Sequence, residues 1–95
     1  MSTLIARRCY ISGRVQGVFY RASTRQKAIE LGCAGYAANL DDGRVEVLVV
    51  GEPQSVQLLL DWLWRGSPGS EVKFVEVREL PLEDLGNVPV GFATR

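Results

Sequence analysis

The sequence predicts an α+β sandwich: two helices over one face of a mostly antiparallel sheet, in the order βαββαβ, with room for a short fifth strand at an edge. Three observations lead there. Segments alternating apolar and polar residues with period two are interleaved with two segments that read as helices. One Asp-Gly pair sits where a tight hairpin is needed. The 95 residues, 46% hydrophobic and 23% charged, suffice for one domain, residues 1–95, around a single modest core.

The first strand is expected over 8–15, where Cys9, Ile11 and Val15 point one way and Arg8, Tyr10, Ser12 and Arg14 the other. After a stretch punctuated by Gly13 and Gly17, a weakly amphipathic helix runs from Ala22 to Leu31, with Gly32 just past its end. A short strand covers Ala34 to Asn39, and Leu40-Asp41-Asp42-Gly43 turns the chain. Residues 44–50 form a third strand, with Val45, Val47 and Val49 on one face. Pro53 suits the first position of the second helix, where Val56, Leu59, Leu60 and Leu63 make an apolar stripe that Gly66 closes. Beyond the loop at 67–69, the strand over 70–80 changes phase, which requires a β-bulge near Phe74 or Val75. Leu80-Pro81 ends that strand, 82–89 form an exposed connection, and Val90 to Thr94 supply the short edge strand.

In this arrangement the third strand lies between the first and second, antiparallel to both, and each crossover is right-handed. The first two strands then end at the same edge of the sheet. That places the glycine-punctuated loop and Asn39 about 10 Å apart, across two strand spacings.

Composition excludes whole classes of chemistry. The chain has no histidine, so no Ser-His or Cys-His pair and no histidine base or metal site exists. Cys9 and Cys33 are too few for a zinc site and read as small buried apolar residues, unpaired in a reducing compartment. Eleven basic residues balance eleven acidic ones, which leaves no basic field for nucleic acid or for an anionic membrane. No apolar run approaches a membrane span, and two arginines interrupt the stretch from Met1 to Cys9 before a signal-peptide core forms. The expected location is the cytoplasm.

What remains for chemistry is backbone N–H groups, arginine, amides, carboxylates and hydroxyls. Gly13 to Arg21 run from a strand into a helix N-terminus, where free amides in a turn form an anion nest backed by the helix dipole. Arg21 adds a planar fork suited to two phosphate oxygens. The stretch has no Gly-Lys-Ser/Thr of a Walker A loop, and its glycine spacing is wrong for a dinucleotide fingerprint. On these grounds alone, a plain tight turn with a solvated Arg21 is an equal alternative. Asp41 and Asp42 read as solvated turn residues, and Ser23 and Thr24 as polar residues near the helix start with no base beside them. Trp62 and Trp64, two apart on one helix, divide between packing and exposure.

The wording of the chain separates the alternatives. "GRVQGVFYR" at 13–21, Ala28, Leu31-Gly32 and Gly35, Asn39, Asp42-Gly43, Val45-Glu46 and Gly51 together resemble the acylphosphatase family over roughly residues 7–80. The resemblance implies a ferredoxin-like sandwich and metal-independent hydrolysis of the carboxyl–phosphate bond of acyl phosphates, with no cofactor. It implies that Val15, Gln16, Gly17, Val18, Phe19, Tyr20 and Arg21 form the phosphate-binding loop. Arg21 becomes the catalytic arginine and Asn39 the residue that orients the attacking water. Inorganic phosphate or sulfate is the expected competing anion, and a monomer the expected state. Phe19-Tyr20 stand where many relatives have Gly-Phe or Phe-Phe, residues 65–70 lack the usual Gly-Pro-x-Ala, and residues 91–95 match the family's ending only loosely.

The chemistry agrees with a site lacking histidine. A carboxylate leaving group needs no strong acid, and a largely dissociative transition state needs its water placed more than deprotonated. Rival readings are weaker. Single-stranded RNA binding on the sheet would need paired aromatics on the central strands, where only Tyr10 is available, and a metallochaperone would need Cys-x-x-Cys. A non-catalytic phosphate-binding module, like the acylphosphatase-like domains within larger maturation proteins, is the remaining alternative.

Overall fold

The computed structural model describes residues 3–95; the first two residues of the arginine-interrupted amino-terminal stretch, Met1 and Ser2, lie outside the described residues. Five strands form one sheet in the order β4-β1-β3-β2-β5. In chain order the elements are β1 (Ile5–Arg14), α1 (Tyr20–Leu31), β2 (Ala34–Asn39), β3 (Val45–Gly51), α2 (Pro53–Arg65), β4 (Glu71–Leu80), a 3-10 turn (Leu82–Leu85) and β5 (Phe92–Thr94). All pairings are antiparallel except β2 with β5, which run parallel. The fold is the ferredoxin-like α+β sandwich.

Both helices pack on the face bearing Cys9, Ile11, Val45, Val47 and Val49, all fully buried. The stripe expected on α2 is the one buried, with Val56, Leu59 and Leu63 inside and Leu60 at its border. Burying each such side chain stabilises the fold by about 1.5–3 kcal/mol. Both cysteines are free and buried, and burial pushes the Cys9 thiol up to about 12, so neither supplies a thiolate at neutral pH. On the opposite face, the Tyr10 ring is occupied by the guanidiniums of Arg44 and Arg78, each 5.0 Å from its centroid. Trp62 packs at 5.9 Å from Tyr20, while Trp64 is half exposed. Among the described residues, no helix is long and apolar enough to cross a membrane.

Several boundaries differ from the sequence reading. β1 starts at Ile5 and ends at Arg14, because Ala6 is buried and pairs with both Val50 and Leu80. α1 starts two residues early, at Tyr20, and buries Tyr20, Thr24 and Ala28. Thr24 therefore lies in the second turn, fully buried, its hydroxyl donating to the Tyr20 carbonyl at 2.7 Å. The bulge falls just before Phe74: Ser12 pairs with Phe74 but Gly13 with Val72, leaving Lys73 unopposed. Gly13 belongs to this bulge and not to the loop beyond it. Its φ of +125° and the main chain of Glu71 and Lys73 lying against it leave no room for a Cβ. The last strand is only Phe92–Thr94, and Val90 is wholly exposed.

Candidate active site

The chain leaves β1 at Arg14 and enters α1 at Tyr20, and three anchors shape the turn between. Val15 is buried. The Gln16 amide Nε2 donates to the carbonyls of Leu40 and Arg44, at 2.8 and 2.9 Å, tying the loop to the turn that follows Asn39. The Val18 carbonyl accepts the hydroxyl of buried Ser67 at 2.8 Å, and Ser67 is held in turn by Ser70. Between the anchors Gly17 has φ +75°, and Phe19 has φ 59° and ψ 22°. Among the described residues, Phe19 is the only non-glycine with positive φ. Such a conformation costs on the order of 1–3 kcal/mol and persists only where its surroundings enforce it.

The consequence is electrostatic. From Gln16 through Ala22 no backbone N–H finds a main-chain acceptor among the described residues; the first helical bond is Ser23 N–H to the Phe19 carbonyl, at 3.0 Å. Consecutive unpaired amides in a turn of alternating hand, at the positive end of a twelve-residue helix, are an arrangement whose electrostatics favour an anion.

Arg21, half-buried on the first turn of α1, donates from Nη1 to the main-chain oxygen of Arg95 at 2.6 Å. The same oxygen accepts the Asn39 backbone N–H at 3.2 Å, while Arg95 N–H donates to the Ala37 carbonyl at 2.8 Å. Arg95 thus prolongs the β2–β5 pairing and brings Arg21 and the Asn39 backbone to one atom. Arg25 reinforces it, its Nε donating to the Phe92 carbonyl at 3.0 Å. Only one of the five guanidinium N–H donors of Arg21 is used in this bond. Asn39 ends β2, exposed at the same sheet edge.

A cavity of about 370 Å³ opens here, lined by Val15, Gly17, Phe19, Tyr20, Arg21, Ala22 and Thr94. Gln16 and Val18 do not line it; the Gln16 side-chain amide and the Val18 carbonyl face the supporting turns. Asn39 does not line it either and stands beside it through Arg95. The Tyr20 side chain points inward: its hydroxyl donates to the Leu63 carbonyl at 2.7 Å, and burial pushes the phenol well above its ordinary pKa, so only its backbone faces the site. A larger cavity, about 560 Å³, lies between the helices around Lys27, Trp62 and Arg65. It lacks the unpaired amides, and its Lys27 is already 3.6 Å from Glu30.

Thr94, Arg95 and Ser67 have parts in this site that sequence reasoning missed. A three-residue edge strand carries no readable period, and the pairing that places Arg95 is long-range. Asp41 and Asp42 are exposed turn residues, and Asp42 is engaged by Arg44. Among the described residues no three His, Cys, Asp or Glu side chains converge as a metal site would require.

Comparison with known proteins joins these features to a lineage. The acylphosphatase family model matches residues 7–92. An acylphosphatase of Nitrosococcus oceani is 54% identical over 83 residues, 82% of this chain and 93% of that protein. The solved acylphosphatase of Coxiella burnetii superposes with a TM-score of 0.89 at 37% identity, over 97% of this chain and 93% of that one. That of Bacillus subtilis gives 0.87 at 34% identity, over 98% and 99%. Sequence over most of its length and fold thus agree on one assignment: the chain belongs to the acylphosphatase family.

Proposed function

We propose that this protein is an acylphosphatase, a hydrolase that splits acyl phosphates into carboxylate and inorganic phosphate without a metal ion. One observation carries the reading: Arg21 and the Asn39 backbone meet at the main-chain oxygen of Arg95, beside a cavity that the turn bearing the unpaired amides lines through Gly17 and Phe19 to Ala22. The phosphoryl oxygens sit in the loop formed by residues 15–21, where backbone amides and Arg21 neutralise charge that spreads over them in the transition state. The Asn39 side-chain amide holds a water in line with the scissile bond. The water oxygen bonds to phosphorus as the phosphorus–oxygen bond to the carboxyl group breaks, and the electron pair leaves with the carboxylate. The water's proton passes to the phosphate product or to solvent.

A carboxylate leaves without protonation near neutral pH, and neither a general acid nor a Lewis acid is required. The same site discriminates against phosphate esters, whose alkoxide would need an acid. All groups invoked come from one chain, and the protein works as a monomer in the cytoplasm. The test is phosphate release from benzoyl phosphate and from p-nitrophenyl phosphate, with and without EDTA. The expected result is turnover of benzoyl phosphate alone, unchanged by the chelator. Loss of activity with EDTA, or a requirement for magnesium, would refute the mechanism.

A further inference from the structure

The phosphoryl end of a substrate is accounted for by amides and Arg21, but the acyl end is not. The cavity lies within the ~300–1,000 Å³ range of small-molecule sites, so it admits more than an anion. Away from Arg21 its lining mixes polar and apolar surface, the apolar part coming from Val15, Ala22 and Phe19.

Of the two aromatics in the loop, Tyr20 is committed to the core through Leu63 and Trp62. Phe19 is not. Its side chain is part of neither the core nor its border, and the residue is 83% exposed. An exposed aromatic on a backbone that disfavours any non-glycine residue has no structural account, since glycine would serve the turn better. Its location supplies another. Phe19's amide belongs to the phosphate-binding turn, so a group joined to phosphorus through one oxygen passes within reach of the ring on the same residue.

We infer that Phe19 is the acyl-side contact and sets specificity, its ring packing against aromatic or bulky apolar acyl groups and favouring them over acetyl phosphate. The inference rests on the acylphosphatase reading above. An aromatic contact of this kind changes discrimination by roughly tenfold.

The test is the ratio of kcat/KM for benzoyl phosphate to that for acetyl phosphate, in the wild type and in Phe19→Asn. Asparagine tolerates the left-handed backbone without supplying a ring. The expected result is a fall in the ratio of about tenfold, carried mainly by KM for benzoyl phosphate, with Phe19→Tyr restoring it. An unchanged ratio, whether both activities fall or neither does, would overturn the inference. Should Phe19→Asn not fold, as judged by its thermal melt, Phe19→Leu gives the same comparison with a smaller fall expected. A wild type inactive on both substrates would instead sink the acylphosphatase reading, and this inference with it.

Discussion

Arg21→Ala is expected to lower kcat/KM for benzoyl phosphate by at least the 10²–10³ typical of losing one transition-state donor, and to weaken inhibition by inorganic phosphate as well. Both follow from the proposed contact of the guanidinium with the phosphoryl oxygens before and during reaction. Arg21→Lys should recover little, since an ammonium keeps the charge but not the planar fork. Arg21→Ala also removes the bond to the main-chain oxygen of Arg95, leaving the 92–95 segment held by Arg25 and the β2 pairing. Circular dichroism should therefore report a folded protein. Near-normal turnover by a folded Arg21→Ala protein would reduce Arg21 to a surface residue.

Asn39→Ala separates binding from chemistry. Its backbone N–H still donates to the main-chain oxygen of Arg95, so the supporting geometry survives the change. Only the side-chain amide is lost. If that amide places the water, kcat should fall on the order of 10²-fold, while the inhibition constant for inorganic phosphate stays close to the wild-type value. Parallel losses in kcat and phosphate affinity would assign Asn39 to anion binding instead.

How much of this was legible depended on whether the cause was local. β2 was readable to its observed bounds, because it runs from just past the α1 cap into an Asp-Gly turn. The α2 stripe and its Pro53 start were equally plain. The α1 start was obscured because Phe19 caps it in a left-handed conformation without a side-chain hydrogen bond. Its buried face also includes Thr24, whose hydroxyl is satisfied within the helix and looks polar in a sequence. The phase change in β4 announced a bulge, but which strand absorbs it, and beside which glycine, is decided by the β1 pairing.

The same division runs through the site. Arg21 and Asn39 could be assigned to one sheet edge by topology alone, from strand order and direction. What joins them is a main-chain oxygen 74 residues from Arg21 in the chain, just past a strand too short to show a period. The Ser67 tie to Val18 likewise arises in a loop whose course no local signal dictates.

The central claim is that the amides of residues 16–22 and Arg21 bind the phosphoryl group. A titration of the 15N-labelled protein with inorganic phosphate, followed amide by amide, tests it most directly. The account predicts saturable shifts largest at Gln16 to Ala22 and at the Arg21 side chain, competing with benzoyl phosphate and diminished in Arg21→Ala. Shifts centred instead on Lys27 and Arg65 between the helices, with residues 16–22 unmoved, would contradict it.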